Sequence, residues 1–203
     1  LRIHRRRRLP ARTGWPLRTG VVDTTLDLAA AASGTDAALA WLCEGVRARA
    51  SVRELRRELA RRPRMRNRAL VLELLGEVAE GIESPLEGRY HRDVERSHGL
   101  PRSALQVRET IGDLWIRADR VYEGFALRVE LDGAFAHPGG RTDRDTWRDN
   151  AVLLARTHRT LRYRWHHVLA TPCATAQQVL TGLRLADPGL SAHACNRADC
   201  PVR

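Results

Sequence analysis

The chain has 203 residues, enough for one domain with a substantial appendage or for two small ones, and its 43% hydrophobic content can support a core. A formal net charge of +11 and a pI near 11.0 point to a polyanionic partner, nucleic acid before membrane. No apolar run approaches membrane-spanning length, no signal-peptide pattern opens the chain, and four irregularly spaced cysteines do not make a disulfide framework, so a cytoplasmic protein without a membrane partner is the simplest expectation.

All 35 basic residues are arginine, which reflects GC-rich codon usage as much as function. Seven of them (Arg2, Arg5, Arg6, Arg7, Arg8, Arg12 and Arg18) fall in the first twenty residues, leaving 28 arginines against 24 acids in the remainder. The chain opens on Leu1 and its single methionine is Met65, so a non-standard start codon or a truncated N-terminus is expected.

Residues 1–20 read as an edge strand, LRIH, and a basic loop carrying Pro10, Gly14 and Pro16. From Val22 to about Leu75 the pattern is helical: Thr24 or Thr25 caps LDLAAAA, Asp36 starts AALAWLCEGVRARA, and Ser51 to Glu54 is a capping box before an Arg-rich helix that Pro63 ends. This unit shows no catalytic grouping and reads as scaffold or docking surface. A further helix runs from Ser84-Pro-Leu-Glu87 to about His98, where Gly99-Leu100-Pro101 stops it. Glu87 is in capping-box position relative to Ser84, and it is also placed to reach a metal site on an adjacent sheet.

Strands are expected at Leu105–Glu109, Leu114–Val121 and 126–132, then a helix from about Asp143 to His158 with Trp147, Ala151 and Leu154 on one face. Arg141, Arg144 and Arg148 follow helical steps and form a basic stripe suited to a nucleic-acid backbone. A final strand at 159–165 and a closing helix from Cys173 to Leu185 complete an α/β sandwich with a mixed sheet.

The most informative stretch is the hairpin from Asp119 to Asp132. Leu127, Val129 and Leu131 alternate with Arg128, Glu130 and Asp132, which separates three apolar from three charged side chains. With Glu123-Gly124 as a two-residue loop, Asp119 lies opposite Arg128 and diagonal to Glu130, and cross-strand diagonals span ~7–8 Å. Asp119, Glu130 and Asp132 can therefore share one face. Either they hold a hard divalent cation such as magnesium, which would activate water against a phosphate, or they pair with Arg117, Arg120 and Arg128 in a charged sheet face.

The motifs SPLE at 84–87, GLP at 99–101, Gln106, Asp119, VELDG at 129–133, His137, RDTWRDN at 144–150 and LRYRW at 161–165 occur in this order. Together, over residues 84 to about 170, they resemble an uncharacterised bacterial endonuclease-like domain family related to the very-short-patch-repair (Vsr) endonucleases, of the PD-(D/E)XK restriction-endonuclease-like fold. The resemblance implies a Mg2+- or Mn2+-dependent DNA endonuclease. It assigns Asp119 and Glu130 as acidic metal ligands, Glu87 as the acid of the first helix, His137 as an aid to proton transfer, and Arg148 as the arginine facing the scissile phosphate. Asp132 stands where many members of the wider fold have lysine. It implies a second metal, or a domain that binds nucleic acid without cutting it.

HRRRRLP at 4–10 and TTLDLA at 24–29 resemble more loosely the C-terminal part of AbiEi-type antitoxins of type IV toxin–antitoxin systems, which implies a toxin partner. The expected organisation is thus a mainly helical unit at 1–80, a restriction-endonuclease-like domain at 84–170 with a mixed sheet flanked by helices, and a C-terminal helix with a poorly ordered tail at 171–203. In that tail the H-x-C-x4-C spacing is no tight knuckle and Cys173 starts a helix, so Zn2+ at Cys173, His193, Cys195 and Cys200 is not expected. Cys43 reads as a small core residue, and His166 and His167 as loop or core-edge residues.

Overall fold

The computed structural model describes residues 12–133 and 143–203, and the chain divides into two compact units, Leu1–Pro85 and Leu86–Arg203. Among the described residues no helix is long and apolar enough to cross a membrane.

In the first unit a short hairpin, β1 (Arg12–Thr13) and β2 (Arg18–Thr19), precedes four helices: α1 (Val21–Ala31), α2 (Thr35–Arg47), α3 (Val52–Ala60) and α4 (Arg68–Ala79). The expected strand LRIH lies outside the described residues. Helix α1 begins earlier than the threonines suggest, with Gly20 at its N-cap, whereas the Ser51–Glu54 capping box forms as the spacing predicts. Leu39, Leu42 and Cys43 of α2 recur at helical intervals and are buried. Gly45 lets α1 approach, because a Cβ there would sit 2.3 Å from Thr25 Oγ1. Arg62, beyond α3, ties the helices together: it donates to Asp27 at 2.9 Å and Glu58 at 3.0 Å, and pairs with Asp23.

The second unit is a four-stranded mixed sheet flanked by helices. It opens with α5 (Pro85–Arg89), which widens into a π-helical stretch, Tyr90–Arg96, so that one helix spans 85–98. Strands β3 (Ala104–Ile111), β4 (Leu114–Tyr122) and β5 (Leu127–Asp132) follow as antiparallel neighbours. Helix α6 (Asp143–Arg156) then crosses over to β6 (Arg159–Arg164), which runs parallel to β5 and completes the order β3-β4-β5-β6. Two more helices, α7 (Trp165–Leu169) and α8 (Pro172–Arg184), close the unit, so the strand expected through Trp165 stops one residue earlier.

Period-two alternation in β4 and β5 sorts the side chains between the two sheet faces. Leu127, Val129 and Leu131 join Tyr122, Tyr163, Tyr90, Val179 and Leu183 in the core between the sheet, helix 85–98 and α8. The tail beyond α8 has no regular secondary structure, yet it is packed rather than loose: Val202 is fully buried in that core, and Leu190, Ala192 and Cys200 lie against it. Helix α8 and the tail are therefore part of this unit, not an appendage to it.

That core contains one buried ionic network. Arg120, wholly inaccessible to solvent, donates to Glu95 at 2.8 Å, to Ser103 Oγ at 3.1 Å and to the Glu87 carbonyl at 2.9 Å, and its guanidinium lies 4.8 Å from the Tyr90 ring centre. Glu95 also accepts from Tyr122 at 2.9 Å and Ser103 at 2.6 Å. The π-helical turns, wider than α-helical ones, direct Tyr90, Val94 and Glu95 inward together.

A candidate active site on the β4–β5 hairpin

The hairpin loop is longer than its sequence predicts. Phe125 N–H donates to the Tyr122 carbonyl at 3.1 Å, and Gly124 and Ala126 both take the left-handed backbone, so the loop covers 123–126 instead of 123–124. The register consequently shifts by two residues: Arg120 pairs with Val129, Val121 with Arg128, and Tyr122 with Leu127. A shift of two keeps every side chain on its face. Continued by one residue, this register sets Asp119 opposite Glu130, not opposite Arg128 as the shorter loop would require.

The ladder ends there because Asp119 intervenes. Its Oδ2 accepts the Leu131 N–H at 2.9 Å, taking the place of a main-chain carbonyl. On the other edges the same level of the sheet continues: the β3–β4 register places Gln106 across from Asp119, and β6 pairs Arg162 with Glu130. Gln106, Asp119, Glu130 and Arg162 thus form a row across all four strands.

The electrostatics of this row are unusual. Burial raises the Asp119 carboxyl above its ordinary value despite the Leu131 N–H and Arg117. Glu130 is pushed up to about 7, first by burial and then by the facing Asp119, with Arg162 and Arg148 pulling the other way. Only 9% of Glu130 is exposed, and among the described residues nothing donates a hydrogen bond or an ion pair to its carboxylate. It therefore holds its proton more tightly than an ordinary glutamate does.

Helix α6 presents a stripe of Asp145, Arg148, Asp149 and Val152 toward the sheet, at steps of three and four. Arg162 forks onto Asp149 at 2.7 and 2.9 Å, and Arg148 pairs with Asp145 at 3.4 Å. The apolar face expected at Trp147, Ala151 and Leu154 is not the buried one. Val152 is buried, while Trp147 and Leu154 are 72% and 84% exposed, because the helix turns its charged stripe to meet the charged face of the sheet.

Two of the three expected arginine partners pair elsewhere, while Arg117 stays near enough to Asp119 to favour its charge. Arg120 faces the opposite side of β4 and belongs to Glu95. Arg128 pairs with Glu109 and donates to His158 Nδ1 at 3.2 Å, and Arg156 contacts Glu109 at 3.3 Å. Asp132 lies 3.7 Å from Arg162. Among the described residues, Asp119, Glu130 and Asp132 do not gather three ligand oxygens about one point. Asp119 and Glu130 come together, and Asp132 turns toward an arginine. Glu87 is buried on helix 85–98 and accepts from Gln106 Nε2 at 3.0 Å, which links it through β3 to the level of Asp119. Arg144 is exposed on α6, and His137 and Arg141 lie outside the described residues.

Arg162 and Asp149 are the site residues that the sequence reading overlooked. Leu161 and Tyr163 alternate with Arg162 and Arg164 just as the residues of β5 do, so the signal for Arg162 was present. Asp149 is placed by the phase of α6, which its exposed tryptophan and leucines obscured. Comparisons of the chain with family models, with curated proteins and with solved structures return no match.

Proposed function

We propose that the chain is a metal-dependent endonuclease that hydrolyses DNA phosphodiester bonds, with Asp119 and Glu130 as ligands of Mg2+ or Mn2+. The observation that supports this most directly is the facing pair itself: two desolvated carboxylates on adjacent strands, with Glu130 at about 7 and unpaired among the described residues. Hard carboxylate oxygens suit these cations, and a divalent charge would favour the ionised form of both groups. When bound, such a cation supplies an acidified water and offsets the charge of the attacked phosphate.

The residues around the pair have distinct tasks in this reading. Arg162 provides the fixed positive charge beside Glu130 that a lysine at position 132 provides elsewhere in the wider fold. A guanidinium does not deprotonate, so Arg162 orients and stabilises but accepts no proton. Arg148 and the exposed Arg144 on α6 hold the DNA backbone. The water oxygen bonds to phosphorus and gives up a proton, the bond to the leaving oxygen breaks, and that oxygen takes up a proton in turn. His137 carries the proton-transfer role that the family resemblance gives it.

Supercoiled plasmid incubated with the full chain and Mg2+ or Mn2+ tests this reading. Nicking or linearisation that depends on metal, and is lost in Asp119→Asn and Glu130→Gln, is the expected result. No metal-stimulated cleavage of double- or single-stranded DNA overturns it.

One observation favours a second reading, a non-catalytic DNA-binding or antitoxin-like regulator with a toxin partner. Arg162 is already engaged by Asp149 and lies near Asp132, as in a sheet face neutralised by ion pairs. Salt-dependent DNA binding without cleavage, unchanged in Asp119→Asn, selects this alternative.

A further inference from the structure

We propose a structural zinc site at His98, Cys173, Cys195 and Cys200, separate from the carboxylate pair and independent of the nuclease reading. These four side chains come from three places in the second unit: the C-terminal end of helix 85–98, the first turn of α8, and the irregular tail. Each offers one ligand atom, and the four atoms all lie within 4.8 Å of one another. The Cys173 and Cys195 sulfurs are 3.5 Å apart. A tetrahedron built on Zn–S bonds of about 2.3 Å has edges of about 3.8 Å, so one small cation spans this group with slight adjustment. An iron–sulfur cluster, whose ligands sit on different iron atoms, requires a wider spread.

His98 supplies the second, independent observation. The residue is fully buried, its Nδ1 lies 2.9 Å from the Val94 carbonyl, and its Nε2 has no hydrogen-bond partner among the described residues. A carbonyl can only accept, so the proton sits on Nδ1, and Nε2 is the nitrogen left for His98 to offer as a ligand. A hydrogen bond from the far ring nitrogen to a carbonyl is what fixes a metal-binding imidazole in its tautomer. Without a metal, the Nε2 lone pair is an uncompensated buried acceptor.

His193, which the spacing alone suggested as the histidine ligand, has another role. Its N–H donates to the His98 carbonyl at 3.1 Å, and its ring covers Gly99, where a Cβ would sit 2.6 Å from Cδ2. Gly99 also has a φ of +64°, so glycine is needed there twice over. His193 thus seats the tail on the end of helix 85–98 and brings Cys195 and Cys200 to His98. Cys173 at the head of a helix is no obstacle, since the tail comes to it.

The test is metal analysis of the full chain, purified without a polyhistidine tag and dialysed against metal-free buffer. We expect about one zinc per chain, and on replacement by Co2+ the intense visible bands of a tetrahedral site with thiolate charge transfer. Cys200→Ser and His98→Ala should lose the metal, whereas His98→Cys, His193→Ala and the remote Cys43→Ser should keep it. A wild-type chain that carries no zinc, binds no Co2+ and leaves all four thiols reactive overturns the proposal. So does a Cys173–Cys195 disulfide in freshly purified protein, or zinc that persists in His98→Ala and vanishes in His193→Ala. Should a variant fail to fold, wild-type stoichiometry and the cobalt spectrum still decide. Plasmid cleavage does not enter this test, so its failure leaves the zinc result standing.

Discussion

Asp119 Oδ2 accepts the main-chain N–H of Leu131 at 2.9 Å, so the residue that faces Glu130 also fastens β4 to β5 where their ladder stops. Asparagine retains an acceptor oxygen but not the charge. Asp119→Asn should therefore fold normally while losing metal-dependent plasmid cleavage by more than the roughly 100-fold that loss of a residue merely supporting a ligand can cost. Circular dichroism and an initial-rate cleavage assay measure the two effects separately.

The raised Glu130 carboxyl has a stability consequence with a definite sign. Its folded-state value of about 7 exceeds the ordinary 4.5, so the folded chain binds the proton more tightly than the unfolded one. That contribution is fully present below pH 4.5 and is lost as pH rises through 7, and the difference amounts to about 3 kcal/mol. Glu130→Gln should flatten the melting temperature between pH 5 and pH 8, within that titration window. If the pair holds metal, added Mg2+ should raise the wild-type melting temperature more at pH 8 than at pH 5. Scanning calorimetry across this window checks both.

Arg120 and Glu95 are mutually dependent. Removing one charge leaves the other buried and alone, so Arg120→Met should cost about 3–5 kcal/mol of unfolding free energy. Pairing it with Glu95→Gln should recover part of that loss. Urea denaturation of the two single variants and the double variant gives the coupling energy.

In the first unit, Gly45→Ala drives a methyl group against Thr25, and overpacking of this kind costs about 1–3 kcal/mol. Thr25→Ala removes the two atoms nearest the added carbon and should relieve part of the strain. Thermal melts of the single and double variants decide whether α1 and α2 meet at this glycine.

The sequence was most legible where one periodicity governed a whole element. Alternation in β5 assigned Leu127, Val129 and Leu131 to the core and placed Glu130 on the face of Asp119, and it would have done so in either register. It could not count the loop, because the left-handed turn at Ala126 leaves no mark in a non-glycine residue. The Ser51 cap was readable because both of its partners are local. His98 was not, since it lies 75 residues from Cys173 and is joined to it only by the packing of helix 85–98 against α8. Arg120 was misassigned for the complementary reason: its charge suggested the solvated face, and only the chain of partners on helix 85–98 shows that it points inward.

Arg120 and Asp119 are adjacent in β4 and point to opposite sides of the sheet. A slip of β4 by a single position would carry Asp119 toward the tyrosines and leucines around Glu95, and would swing a guanidinium into the place beside Glu130. Each error alone would strand a charge away from its partner. The buried arginine therefore acts as an indexing pin: it lets the strand dock in one alignment, and in that alignment the carboxylates meet.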